Sequence, residues 1–141
     1  MFRAQLARIF KGPAEPPVTL RSGPFTSVQV LKRSEGWRSD DGRTVLILDS
    51  RGRLTLSLDG AKVWSPPVTR PIKKVILDGE GRLSAFAEDS ERLWTQGERG
   101  KRSVDLRLQE DGNMVLYSGS DVLWFSGTRH SETVAAGSAA G

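Results

Sequence analysis

Apolar and polar residues alternate with period two over most of residues 18–127, in short runs separated by turn sequences. The turn sequences include DDGR at Asp40, LDGAK at Leu58 and SGSD at Ser118. Such alternation is typical of β-strands that have one face on a core and one toward solvent. Short Gly- and Asp-rich interruptions are typical of hairpin turns. The pattern therefore predicts an all-β body of short antiparallel strands.

This pattern recurs three times along the chain. Trp64, Trp94 and Trp124 are spaced by 30 and 30 positions. Each follows a related phrase with Leu first, Gly fifth and an apolar residue seventh: LDSRGRLTLS from Leu48, LDGEGRLSAF from Leu77 and LQEDGNMVLY from Leu108. One small sheet alone is marginally stable in water. We therefore expect three small sheets packed around a shared axis, with the three tryptophans buried together.

The third phrase contains the only asparagine and the only tyrosine of the chain. Its alternation predicts a core face and an outward strand face, and the outward face carries Gln109, Asp111, Asn113, Val115 and Tyr117. Together, amides, carboxylates and hydroxyls supply both donors and acceptors of hydrogen bonds. The hydroxyls of a sugar require both. A valine can contact the C–H face of a sugar ring. The alternative is a solvated strand face, with EDGN as an ordinary turn.

The motif Gln109-x-Asp111-x-Asn113-x-Val115-x-Tyr117, followed by Trp124 and SGT, resembles the sugar-binding signature of the bulb-type (monocot) mannose-binding lectin family, the B-lectin domain. The segment GWRSDDGRTVLILD is similar to the first strands of that family, and the resemblance covers roughly residues 18–128. The resemblance implies a β-prism II fold: three four-stranded antiparallel sheets around a pseudo-threefold axis, with a sugar pocket on each face.

The resemblance also implies a role for each polar residue of the motif. Asp111 and Asn113 would hold the axial 2-hydroxyl of mannose, which distinguishes mannose from glucose. Gln109 would contact the 3-hydroxyl and Tyr117 the 4-hydroxyl. We expect such a shallow, wet site to bind a single monosaccharide weakly, at about millimolar concentration.

The other two units lack this motif. At the equivalent positions the first unit has Asp49, Arg51, Arg53, Thr55 and Ser57, and the second has Asp78, Glu80, Arg82, Ser84 and Phe86. Arginine cannot accept a hydrogen bond and phenylalanine has no hydroxyl; we also expect Glu80 to pair with Arg82. The sequence therefore predicts one intact mannose pocket per chain, so that multivalent binding would require oligomers.

Composition narrows the classes of function further. The chain of 141 residues suits one domain. It has no cysteine, and its single histidine, His130, lies outside the repeat and is expected to be solvated rather than catalytic. No phosphate loop or metal-ligand spacing occurs. We expect no enzymatic activity, no cofactor and no metal.

Charge and hydropathy indicate which partners and which location to expect for the protein. Residues 1–17 contribute +2 of the net charge of +4 and the remaining +2 is spread over the rest of the chain, so there is no dense basic stripe and we expect no nucleic-acid partner. No apolar run is long enough for a transmembrane segment. Without a signal peptide or cysteine, the sequence predicts a cytoplasmic protein, and a non-classical route of release stays open.

The two ends differ from the repeat. Residues 1–17 are predicted to form an amphipathic helix and a Pro-rich linker, with Phe2, Leu6, Ile9 and Phe10 on one helix face. Residues 18–128 form the predicted prism, and 129–141 a flexible tail. The helix could dock to a protein partner or membrane through residues 2–10, pack on its own prism, or stay disordered. An alternative to the lectin is therefore a structural or adaptor module docked by this helix. The resemblance also implies that residues 125–128 could exchange between subunits of a homodimer.

A deletion tests the expectation for the N-terminal helix. If residues 2–10 dock elsewhere, removing residues 1–17 should leave the melting temperature of the body nearly unchanged and abolish co-purification with a partner or membrane. Differential scanning calorimetry and pull-down measure the two effects. A large fall in melting temperature would show instead that the helix packs on the prism.

Overall fold

The computed structural model describes residues 17–26 and 28–128, so the predicted N-terminal helix and the predicted tail lie outside the described residues. The described chain is all-β, with thirteen strands and no helix. The strands are β1 (Thr19–Ser22), β2 (Phe25–Thr26), β3 (Val28–Lys32), β4 (Glu35–Arg38), β5 (Thr44–Leu48), β6 (Leu54–Leu58), β7 (Ala61–Trp64), β8 (Lys74–Asp78), β9 (Arg82–Phe86), β10 (Arg92–Gly97), β11 (Val104–Leu108), β12 (Met114–Ser118) and β13 (Asp121–Phe125).

The strands form three sheets, one for each repeat of the sequence. The first sheet has the order β1-β4-β5-β6-β7, the second β10-β9-β8-β3 and the third β13-β12-β11-β2. Within each unit, consecutive strands pair antiparallel through short hairpins. The predicted turns at Asp40, Asp59 and Gly119 connect strands as the sequence indicated. This arrangement confirms the all-β, three-sheet prediction.

The segment before the first repeat contributes one strand to every sheet. β1 pairs with β4 in the first sheet, β3 with β8 in the second and β2 with β11 in the third. The expectation of four strands in every sheet is wrong for the first sheet, which has five. The reason is that β4 already completes a four-stranded unit, and β1 adds to its open edge in parallel, with Thr19 opposite Glu35.

The core lies between the three sheets and is built by the alternation seen in the sequence. Along β5 and β6 every second residue is buried, including Leu46, Leu48, Leu54 and Leu56. The third sheet repeats this with buried leucines at 106, 108 and 116 and a buried methionine at 114. Burying apolar area is the main favourable term in folding, so these side chains fix the register of each hairpin.

The three repeat tryptophans form one cluster, as predicted. The ring centroids of Trp64 and Trp94 are 5.5 Å apart, those of Trp64 and Trp124 5.6 Å, and those of Trp94 and Trp124 5.4 Å. The rings are inclined to one another by 59° to 77°. Tilted and edge-to-face pairs at these separations are favourable arrangements for aromatic rings. All three are partly buried against the core.

A bulge in the last strand of each unit turns each tryptophan inward. In the third sheet Tyr117 pairs with Val122 but Leu116 pairs with Trp124, so Leu123 is an extra residue. The first and second sheets shift register in the same way, beside Trp64 and Trp94. A bulge lets two successive side chains take the same face of a sheet. The residue before each tryptophan therefore also packs against the core.

Removing one ring of the tryptophan cluster should destabilise the whole domain. Trp64→Ala, Trp94→Ala or Trp124→Ala should each lower the free energy of unfolding by about 3–5 kcal/mol, because each leaves a cavity against two other rings. Chemical denaturation measures the loss. Val28→Ala is the control, since Val28 is 63% exposed, and it should change stability by no more than about 0.5 kcal/mol. Equal effects for Val28 and a tryptophan would contradict this role.

Candidate functional site

The five motif residues of the third unit lie together on its hairpin, but they do not lie on one strand as the sequence analysis predicted. β11 ends at Leu108 and β12 begins at Met114, so Gln109, Asp111 and Asn113 belong to the connection. Only Val115 and Tyr117 are on β12. The prediction was wrong on this point because a hairpin preserves the alternation across its turn, so that period two alone cannot distinguish it from a continuous strand.

Backbone hydrogen bonds and one glycine set the shape of this turn. The N–H of Gln109 donates to the carbonyl of Asn113 at 2.9 Å, and the N–H of Gly112 donates to the carbonyl of Gln109 at 3.1 Å. The φ of Gly112 is +93°, which side-chain-bearing residues rarely adopt. A Cβ at this position would lie 3.0 Å from Leu58 Cδ2 and 3.2 Å from the Thr128 carbonyl oxygen. Gly112 therefore allows the turn to sit against both.

Tyr117 and Gln109 meet above Val115. The amide nitrogen of Gln109 lies 3.3 Å from the Tyr117 hydroxyl. Val115 is paired between Arg107 on β11 and Phe125 on β13 and is only 4% exposed. Val115 thus forms an apolar floor, with the amide and the hydroxyl held over it. This contact fixes both polar groups before any ligand binds.

A cation supports the tyrosine from the neighbouring strand. The guanidinium carbon of Arg107 lies 4.8 Å from the centre of the Tyr117 ring, within the range of a cation–π contact. Nε of Arg107 donates to Oδ2 of Asp105 at 2.7 Å. This hydrogen bond raises the pKa of Arg107 above its usual value, so the residue stays charged. Arg107 therefore restrains Tyr117 in its position over the floor.

The side-chain oxygen of Asn113 holds the end of β13 in place. Oδ1 accepts hydrogen bonds from Ser126 Oγ at 3.0 Å, from the N–H of Gly127 at 3.0 Å and from the N–H of Thr128 at 3.2 Å. Ser126 Oγ in turn accepts from the N–H of Met114 at 3.0 Å. We call this set of bonds the Asn113 clamp. It uses only the oxygen of the amide, so the two N–H groups on Nδ2 take no part in it.

Asp111 completes the polar group of the turn. Its Oδ1 accepts from the N–H of Asn113 at 3.0 Å, and Oδ2 takes no part in that bond. The carboxylate oxygen and the Asn113 amide nitrogen are thus an acceptor and a donor on neighbouring parts of one turn. This is the combination that a single sugar hydroxyl, which both gives and takes a hydrogen bond, would use.

A cavity opens beside the site. The cavity has a volume of about 860 Å³ and lies between the β4–β5 turn and β11. Gln109 and Asp111 line it, and Arg38 and Asp40 face them from the first sheet. Thr44 also donates from the first sheet to the carbonyl of Gln109. The position of the hairpin therefore depends on contacts with the neighbouring sheet.

The equivalent hairpins of the other two units use their first motif residue differently. Oδ1 of Asp49 accepts from the N–H groups of Arg51 and Arg53, both at 2.9 Å. Oδ1 of Asp78 accepts from those of Glu80 and Arg82, at 2.8 and 3.0 Å. These carboxylates are engaged by their own turns. In the third unit that position is Gln109, whose side chain reaches Tyr117 instead.

One predicted contact in the second unit is replaced by another. Arg82 was expected to pair with Glu80, but its Nε lies 3.9 Å from Oδ2 of Asp78. The turn explains the difference, because Asp78 is already folded back over the backbone of residue 82. Ser84, at the position of Val115, is buried and shares a hydrogen bond of 2.7 Å with Thr95.

Sequence reasoning missed several residues of the third-unit site. It did not find the role of Ser126 and Thr128 in the clamp, although SGT begins two residues after Trp124. It did not find Arg107, which falls on the outward face two residues before Gln109. Phe125, 56% exposed, borders the floor as the cross-strand neighbour of Val115. The signal for Arg107 and Phe125 is the period-two pattern of the flanking strands.

Comparison with known proteins identifies the fold class. No protein-family model matches the sequence, and no curated protein matches it. Among solved structures, a lectin from Marasmius oreades is 25% identical over 78% of this chain and 97% of its own, with a TM-score of 0.68. A mannose-specific bulb lectin from Scilla campanulata is 25% identical over 68% and 83%, with a TM-score of 0.53.

Monomeric monocot mannose-binding lectins from Gastrodia elata share the fold as well, at 23% identity over 72% of this chain and 93% of theirs, with a TM-score of 0.59. Together with the threefold repeat, these matches show that the chain has the β-prism II fold of the bulb-type mannose-binding lectins, to which it is similar.

Two further features are absent from the described residues. Within residues 17–26 and 28–128, no three His, Cys, Asp or Glu side chains converge to hold a metal ion. The same part of the chain contains no helix long and apolar enough to cross a membrane.

The Asn113 clamp can be tested by its effect on stability. Asn113→Ala should lower the free energy of unfolding by about 1–3 kcal/mol, because the N–H groups of Gly127 and Thr128 lose their acceptor. Asn113→Asp keeps an oxygen at that point and should cost less. Urea denaturation measures both variants. Equal stability of the alanine variant and the wild type would contradict the clamp.

Proposed function

We propose that this protein is a carbohydrate-binding lectin with one mannose site per chain, formed by the hairpin of the third unit. The observation that carries the proposal is the preformed polar group over Val115. Gln109 and Tyr117 are joined at 3.3 Å above a floor that is 4% exposed, beside the acceptor of Asp111 and the free donors of Asn113. The Scilla campanulata match, a mannose-specific lectin, supports the ligand class.

Each group has a role in the proposed complex. The Asn113 N–H groups donate to the 2-hydroxyl of mannose and Asp111 accepts from it. Gln109 contacts the 3-hydroxyl, Tyr117 the 4-hydroxyl, and the C–H face of the ring lies on Val115. Because Asn113 Oδ1 is fixed by three donors, its N–H groups are oriented in advance. Fixing a donor before binding lowers the entropy lost in the complex.

The first and second units are not proposed to bind mannose. Their first motif residues, Asp49 and Asp78, are engaged by their own turns, and the third motif residue of each is an arginine. A site that contacts a monosaccharide through a few hydrogen bonds implies weak binding, roughly millimolar. Agglutination would then require a homodimer or larger assembly. The alternative function, an adaptor module docked through residues 2–10, is favoured by this loss of the site from two units.

Two substitutions should weaken mannose binding without unfolding the protein. Asn113→Asp retains the clamp oxygen but removes the two donors, and Tyr117→Phe removes only the hydroxyl. A hydrogen bond to a ligand contributes about 0.5–1.5 kcal/mol, and more where its partner is left unsatisfied. Each variant should therefore bind methyl mannoside several-fold to more than tenfold more weakly. NMR titration measures the affinity.

The matched control is Phe86→Leu, at the position in the second unit that corresponds to Tyr117. It should leave mannose binding unchanged. If the wild type shows no mannose-dependent shifts in residues 109–117 at roughly tens of millimolar sugar, the lectin proposal fails and the adaptor function takes its place.

A further inference from the structure

A second concave surface lies on the first sheet, on the hairpin that corresponds to the proposed mannose site. It encloses a cavity of about 450 Å³, between the β5–β6 hairpin, β7 and the chain that leads from β7 to β8. Four cationic side chains line it: Arg51, Arg53, Lys62 and Arg70. Of the described residues that line this cavity, none is Asp or Glu. We call it the basic cavity.

The backbone of this hairpin matches that of the third unit. The N–H of Asp49 donates to the carbonyl of Arg53 at 3.0 Å, as Gln109 does to Asn113 at 2.9 Å. The φ of Gly52 is +86° and that of Gly112 is +93°. The scaffold is therefore the same at both places, and only the side chains that it presents differ. Arg51 and Arg53 stand at the positions of Asp111 and Asn113.

The cations of the basic cavity are not all equivalent. Arg70 is held by Asp89 at 3.2 Å and by Glu91, so its charge is largely balanced within the protein. Arg53 has one acidic neighbour, Asp49 at 3.5 Å, and its side chain is 66% exposed. Lys62 is on β7, where it pairs with Ser57 of β6. Arg53 lines the cavity from the β5–β6 hairpin and Lys62 from β7, so a ligand in the cavity can contact both.

The chemistry of the lining favours an anion attached to a sugar. A guanidinium only donates hydrogen bonds, and its planar fork matches a carboxylate or a sulfate. Thr55, Ser65 and Thr69 add hydroxyls that can pair with sugar hydroxyls, and Pro66 and Val68 add apolar surface for a ring face. We infer that the basic cavity binds an acidic saccharide, one that carries a carboxylate or sulfate group. This site does not depend on the use of the mannose site.

Titration with four small probes tests the inference. Methyl glucuronide and glucose 6-sulfate carry the two anionic groups on a sugar, methyl glucoside is the neutral sugar and inorganic sulfate is the anion without a sugar. At least one acidic sugar should cause saturable NMR shifts in residues 51–70, at least fivefold tighter than either of the other two probes. The affinity should fall as salt is added, because salt screens exposed charges.

A charge-matched pair of variants separates a specific site from general attraction. Arg53→Gln with Lys62→Gln should weaken acidic-sugar binding at least fivefold. Arg99→Gln with Arg102→Gln removes the same charge from the β10–β11 connection and should leave it unchanged. The inference is overturned if neither acidic sugar saturates, if inorganic sulfate or methyl glucoside binds as tightly, or if both double variants weaken binding equally. Mannose shifts appear separately in residues 109–117, so failure of one site leaves the other test intact.

Discussion

The contact among Trp64, Trp94 and Trp124 is the interaction on which the three sheets depend. Each ring touches the other two at 5.4 to 5.6 Å between centroids, and each belongs to the last strand of a different unit. The apolar faces of the three sheets form one common core, so each sheet is covered by the other two. The bulge beside each tryptophan is what allows the ring to reach the centre while the strand continues its pairing. The threefold arrangement of the hairpins follows from this shared contact.

The same backbone scaffold then presents three different sets of side chains. In the first two units an aspartate at the first motif position stabilises the turn. In the third unit that task falls to Asp111, which accepts from the N–H of Asn113. Because the carboxylate that stabilises the third turn stands two residues later, the first motif position can be occupied by Gln109. A side chain that does not stabilise its own turn can contact Tyr117, and by the proposal a sugar.

The sequence predicted much of this because the repeat is strong and local. The spacing of the tryptophans, the buried leucines of each phrase and the turns all depend on residues close together in the chain. The strands β1 to β3 were not predicted as one edge strand for each sheet, since β2 and β3 pair with strands far along the sequence and β1 pairs in parallel, which no local turn indicates. The place of Trp37, fully buried and stacked on Phe25 at 4.9 Å, depends on the same distant pairing. The bulges had a visible signal, an apolar residue directly before each tryptophan, which breaks the alternation.

One side chain of the candidate site, Asn113, has a structural role in addition to its proposed binding role. A sugar-binding function alone would explain Asn113 by its donors, yet its oxygen is already bound to three donors of residues 126–128. The amide is therefore held by the fold at one atom and available to a ligand at the other. An aspartate could accept the hydrogen bonds from residues 126–128 but could not donate one to a ligand. A lysine could donate to a ligand but could not accept the bonds from residues 126–128. A side-chain amide can do both, since it carries an acceptor and a donor. If the proposed site binds a sugar, this double requirement explains why the single asparagine of the chain stands at this position.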